Sequence, residues 1–283
     1  MRLLLLQLLL ALLQLASGYN YCRNESHLCN MANRRHFICN AATELHPLFY
    51  RAKFLAIVPD TLPFRKLILD YHNKYRNMAA GGQLVTDGNE TFPAASRMRE
   101  LIWDLELAYM ARVHASTVSF KHTMCRSVVR FPHAGENLSM VLAKKKRFSV
   151  KELLDLALFP MFDEYRTVRD PVDLLKDFDS YSHHLVGHFT LMVNDRVSRL
   201  GCAFAIATNC DKNNTDDYCH FMTCHYDFIN MEGSYTYQIG NAASNCGIWG
   251  AWPSSRYRNL CTNSGEIFPK DHGDKDSKLH NVE

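Results

Sequence analysis

The sequence predicts a disulfide-framed α+β domain in which helices come first and a β-hairpin follows. Three observations carry this expectation. Apolar residues recur at three- and four-residue steps from Phe64 to Ala80 and again after Asp104. Two later runs, Leu200 to Thr208 and Tyr218 to Phe228, are small, aromatic and apolar, and they flank a polar turn from Asp211 to Asp217. The ten cysteines are an even set. In an oxidising compartment such a set reads as a framework of bridges.

Met1-Arg2, apolar Leu3 to Leu15 and small Ala16-Ser17-Gly18 have the layout of a secretory signal over 1–18. The apolar run is short for a bilayer span. The expectation is a secreted, extracellular monomer with no transmembrane segment in the mature chain. Residues 19–60 form a cysteine-rich arm. Cys22, Cys29 and Cys39 sit there among polar residues with no apolar period, so bridges must fasten it. Residues 41–63 read as a connector with Pro47, Pro59 and Pro63.

The main domain is expected over 61–228. Leu67, Ile68, Tyr71, Tyr75 and Met78 mark the stripe of its first helix, which Gly81-Gly82 stops. His72, Asn73 and Arg76 form a polar face suited to bonding neighbouring loops. Asp104 is an N-cap, its carboxylate accepting from the free N–H groups of the next helix. Leu107, Ala108, Ala111, Ala115 and Val118 then make a narrow stripe that permits close approach to a sheet or helix. His114 is offset from it and reads as structural or surface. Phe120 to Leu138 reads as a connecting segment, with Glu136 in a turn. Ser149 and Glu152 form a capping box. It opens a helix that Pro160 should kink or restart. Gly187 interrupts the pattern before a short helix, Phe189 to Val193. Residues 229–268 form an extension closed by cysteines near its ends, and 269–283 are expected to be disordered.

A net charge of +3 and no dense basic face exclude nucleic acid as a partner. Lys144 to Arg147 reads as a solvated loop. Asn24, Asn89 and Asn213 are glycosylation acceptors in loop-like contexts; Asn137 matches too but is expected to be partly buried and unmodified. The early cysteine spacing does not match a zinc module.

The chemistry-bearing residues are His122 and Glu136 in the connecting segment, Glu164 in MFDEYR and His188 in GHFTLMV. Converging, two neutral imidazoles could bind Zn²⁺ or another divalent cation. The carboxylates would be ligands or would fix the imidazole tautomers. The same four side chains could equally be a hydrogen-bonded brace for loops. Metal-assisted hydrolysis is a third reading. A serine nucleophile would need Ser139 or Ser182, which are near only in sequence. Leu153, Leu156, Phe159, Pro160 and Met161 read as core, or as the border of an apolar groove.

AGENL at 134–138, GHFTLMV at 187–193 followed by LGCAFA at 200–205, and WDLELAYMARVHASTVSFKH at 103–122 resemble the CAP superfamily. That group comprises cysteine-rich secretory proteins, antigen 5 and pathogenesis-related 1 proteins. The arm YCRNESHLC resembles its insect antigen-5, venom-allergen-like branch. The resemblance covers residues 19 to 262 and implies a three-layer α-β-α sandwich with a central antiparallel sheet. It implies a tetrad of His122, Glu136, Glu164 and His188, with His122 and His188 as metal ligands and no assigned catalytic residue. It implies the bridges Cys22–Cys39, Cys29–Cys125, Cys202–Cys224, Cys210–Cys219 and Cys246–Cys261. Relatives bind sterols, fatty acids, small amines or proteins. The implied function is therefore non-enzymatic binding or signalling in extracellular fluid, through a lipid, a sterol or an extracellular protein partner. The alternative is a metal-dependent hydrolase or protease using the tetrad. Leu191, Asn194, Met161 and His225 depart from the family pattern around the pocket.

Overall fold

A computed structural model describes residues 20–23, 27–210 and 218–268. The signal segment, Asn24, Asn213 and the 269–283 tail lie outside the described residues. The arm is more ordered than its composition suggests, holding α1 (His27–Met31) and α2 (Phe37–Glu44). Helices this short are marginal alone. Cys22–Cys39 closes the arm and Cys29–Cys125 ties it to the segment beside His122. Buried Phe37 anchors it. The connector contains a strand, β1 (Lys53–Ile57). Its residues are mostly exposed, so no in–out alternation announces it.

Thr61 caps α3 (Leu62–Ala80), its hydroxyl accepting from the Phe64 N–H, with proline in the first turn. The polar face of α3 is buried. Arg76 donates to the carbonyls of Arg99, Met192, Asn194 and Val197, and Asn73 bonds both backbone groups of Leu101. A buried guanidinium is tolerable only because carbonyls surround it.

After β2 (Ile102–Trp103), Asp104 caps α4 (Leu105–Ser116) by accepting from the Glu106 and Leu107 N–H groups. The small stripe of α4 lies on the sheet, Ala111 and Ala115 against Ala203 and Ala205. The approach is so close at Gly201 that a Cβ there would sit 2.0 Å from the Ala108 nitrogen. Only glycine fits.

The AGENL stretch is not a turn. Gly135–Ala143 is a strand, β3, paired antiparallel with β5 along its whole length. Its first four residues are all buried, so the alternation that marks a half-buried strand is missing. The capping box opens α5 (Val150–Ala157). Pro160 sits in the first turn of a separate helix, α6 (Phe159–Asp163), where its missing N–H costs nothing. A 3₁₀ turn (Glu164–Thr167), α7 (Pro171–Lys176) and a second 3₁₀ turn (His184–Val186) follow. The second turn runs straight into α8 (Gly187–Val193), which starts earlier than Phe189.

The hairpin strands are β4 (Arg199–Thr208) and β5 (Tyr218–Tyr226), bridged by Cys202–Cys224 and Cys210–Cys219. Among the described residues five strands form one sheet, ordered β1-β4-β5-β3, with two-residue β2 parallel to β4. One face carries α4. The other carries α3, α5 and α8, with Phe204, Met222 and Tyr226 in the main core. This is the α-β-α sandwich. Residues beyond β5, closed by Cys246–Cys261, send Trp249, Tyr257 and Leu260 into that same core. Leu153 and Met161 are buried there, whereas Leu156 and Phe159 are exposed. Asn89 is exposed with φ 64° in a turn, while Asn137 is buried on β3.

Candidate functional site

The strand register puts Glu136 directly opposite His225. Both side chains are buried, and His225 Nε2–H donates to Glu136 Oε2 at 2.9 Å. The same carboxylate accepts from His122 Nδ1–H at 2.8 Å, the Thr123 N–H at 3.0 Å, the Thr123 hydroxyl at 3.1 Å and Arg126 Nη2 at 3.2 Å. Burial alone would push this carboxyl up. The Arg126 charge, with the His122 and His225 hydrogen bonds, overcomes it and holds Glu136 well below the usual carboxylate range. His114, on α4, is buried with its Nε2 3.9 Å from Glu136 Oε2, and its role is structural. Its Nε2–H donates to the Lys121 carbonyl and its Nδ1 pairs with the Thr223 hydroxyl.

The arm braces this segment from outside. The Phe37 N–H donates to the Cys125 carbonyl, Glu44 accepts from the Met124 N–H, and the Phe37 ring meets the edges of His114 and His225.

The second acid–imidazole pair belongs to the other helical layer. Glu164, opening the first 3₁₀ turn, accepts from His188 Nδ1–H at 2.5 Å and from the Phe189 N–H at 3.0 Å. The two pairs meet across the start of β3, the edge strand. Asn137 Nδ2 donates there to the His188 carbonyl. A Cβ on Gly135 would meet the Phe228 carbonyl at 2.4 Å and Leu191 at 2.9 Å.

A cavity of about 300 Å³ opens at this junction, lined by His122, Arg126, Glu136, His184, His188 and Leu191 among others. Glu164 stands behind His188. Three of the four tetrad residues therefore line one cavity and the fourth orients one of them. Carboxylates only accept, so each Nδ1 carries a proton, and in the neutral ring each Nε2 is left with a lone pair. His122 is 58% exposed and His188 35%. Among the described residues, the single group of three or more metal-type side chains with ligand atoms within 4.8 Å is His72, Cys202 and Cys224. Those two cysteines are bonded to each other, which removes their thiolates. The tetrad is thus looser than a closed four-ligand centre.

Sequence reasoning missed Arg126, which has no motif around it, and Asn230, whose amide holds the Gly187 carbonyl beneath His188. His225 registered only as a departure from a pattern; its role depends on strand register.

The Cysteine-rich secretory protein family (CAP) matches residues 69–226. The chain belongs to the CAP family. This CAP protein falls in the antigen-5 branch. It is 30% identical over 249 residues to Venom allergen-1 of Aedes albopictus, covering 86% of this chain and 87% of that one. It is 32% identical over 151 residues to the Antigen 5 like allergen Cul n 1 of Culicoides nubeculosus, covering 52% and 64%. The crystal structure of NaASP2 with Zn²⁺ shares the fold, with a TM-score of 0.57 at 22% identity over 72% of this chain and 98% of that one. BmVAL-1 gives 0.55 at 25% identity, over 72% and 95%.

Burial holds the imidazoles of His36, His72 and His225 down at about 4 and lowers His114 in the same direction. An unfolded histidine titrates near 6.5. Below that pH the unfolded chain takes up protons that the folded protein refuses, so stability falls as pH drops from about 6.5 toward 4. Each such histidine contributes a slope of up to about 1.4 kcal/mol per pH unit in that window. Glu136 adds its own loss only at lower pH, as its carboxylate protonates. Urea unfolding at pH 7, 6 and 5 should show this decline, and His225→Asn should flatten it by about one histidine's share. An unchanged slope in that variant contradicts the assignment.

Proposed function

We propose that this CAP protein is a secreted, non-enzymatic binding protein whose cleft holds a divalent cation between His122 and His188. One observation carries the reading: two imidazoles from different layers line one cavity, each fixed by a carboxylate at Nδ1 so that Nε2 is the available donor. Zinc takes neutral imidazole nitrogen readily, and a carboxylate behind a histidine raises its basicity and fixes its orientation. The relative crystallised with Zn²⁺ supports the choice of ion. A bound cation would supply a charge linking the two layers; Glu136 and Glu164 would keep the two rings aimed at it.

The side chains around the cleft favour binding over catalysis. Ser182 donates its hydroxyl to Asp179, and Ser139 lies on β3 opposite Met222; neither lines the cavity. Every described cysteine is bridged. Five disulfides fit an extracellular compartment. Among the described residues no helix is long and apolar enough to cross a membrane. Zn²⁺ titration of the purified chain should show one saturable site, weakened at least about tenfold in His188→Ala and in His122→Ala. No saturable binding, or affinity in both variants equal to that of the unmodified protein, contradicts the reading.

A second role rests on a separate observation. An apolar cleft of about 360 Å³ is walled by Val58, Pro59, Pro63, Phe64, Leu67 and Val150. Its shape and lining suit a lipid or sterol tail. A fluorescent fatty acid should bind saturably and be lost in Val150→Arg, which puts a charge in the wall. Absence of a saturable signal in the unmodified protein removes the lipid role.

A further inference from the structure

We propose that His184 is a third imidazole ligand of the cleft, so that His184, His188 and His122 together form a three-histidine site for Zn²⁺ or Cu²⁺. The proposal rests on the cleft being a cation site and goes further by changing its donor set.

The first support is spacing. His184-Leu185-Val186-Gly187-His188 places two histidines four residues apart. The 3₁₀ turn His184–Val186 abuts α8 in sequence, with Val186 outside helical geometry at φ −127° and ψ 18° where the two meet. The interruption at Val186 means that this spacing does not set a common helical face; it keeps the two imidazoles within one short stretch of chain, at the same i, i+4 separation that chelates a metal on a continuous helix.

The second support is placement. His184 lines the same cavity as His122 and His188. Its neighbour His183 lines a different cavity, beside Asp170 and Asp173, and accepts the Asp179 N–H through Nδ1. Of the two adjacent histidines, one faces the cleft and one faces away.

The third support is the protonation pattern. His184 Nδ1–H donates to the Tyr181 carbonyl at 2.8 Å. A carbonyl cannot donate, so this ring too presents an unprotonated Nε2. All three imidazoles therefore share one arrangement: an oxygen acceptor on Nδ1 and a lone pair on Nε2. Arg126, which lines the same cavity, is paired with Glu136.

The three donor atoms do not lie within 4.8 Å of one another in this structure. Closing the set needs side-chain movement, and His184 is exposed. The ring can swing about its side-chain torsions at the cost of weakening one hydrogen bond. Three imidazoles would leave a fourth tetrahedral position open to water or to a ligand atom.

The test uses the full mature chain. Zn²⁺ affinity is measured by competition with a chromophoric chelator, and Cu²⁺ loading is read by the nitrogen hyperfine pattern in electron paramagnetic resonance. His184→Ala should weaken Zn²⁺ at least about tenfold and remove one nitrogen from the copper spectrum. His183→Ala should leave both unchanged, and metal-free unfolding of each variant reports whether the fold is intact. If His184→Ala matches the unmodified protein while His188→Ala weakens binding, the two-histidine cleft stands and the third ligand is wrong. If no histidine substitution alters affinity, the cation reading itself falls, and this proposal with it.

Discussion

A carboxylate with no access to water must be surrounded by donors, and Glu136 imposes that requirement on the whole molecule. It is buried on the edge strand and ionised. Its donors come from β5 through His225 and from the segment 122–126 through His122, Thr123 and Arg126. That segment has no regular structure of its own. It keeps its shape because the carboxylate holds it from inside while the arm holds it from outside, through Cys29–Cys125 and the backbone bond from Phe37. The arm is thus part of the site's architecture. Replacing such a cluster by apolar residues need not cost stability, but removing one member leaves the others unpaired in a dry environment.

The opposite layer repeats the device with less burial. Glu164 holds His188 and the Phe189 N–H, so one carboxylate fixes both the ring and the start of α8. Two close approaches let these halves meet. Gly201 brings α4 against β4, and Gly135 lets β3 pass beneath Leu191 and the 228 carbonyl. Leu191 makes part of the cavity wall apolar. The cleft is therefore a junction between layers, polar where the imidazoles stand and apolar on one side.

Local signals were legible and long-range ones were not. Asp104, and Ser149 with Glu152, cap helices through bonds spanning two or three residues, so their meaning is contained in a short stretch. The hairpin of β4 and β5 was legible because two apolar runs flank a polar turn. The sequence reads Glu136 into a turn because burial over Gly135–Leu138 erases the period of two, and it reads 41–63 as a connector because the apolar run Phe54–Ile57 of the edge strand β1 does not alternate. The tetrad came from resemblance to a family. Nothing in the spacing of His122, Glu136, Glu164 and His188 says that they converge, since convergence depends on the sheet. His225 and Arg126 join the site only through register and a cross-linked segment.

The account stands most directly on Glu136. The decisive measurement is the unfolding free energy of Glu136→Gln in the metal-free protein at pH 7, from urea titration with the disulfides intact. Loss of a buried, multiply paired carboxylate should cost about 3–5 kcal/mol. A loss below about 1 kcal/mol, the range of exposed ion pairs, would show that the cluster does not hold the strand and the 122–126 segment together.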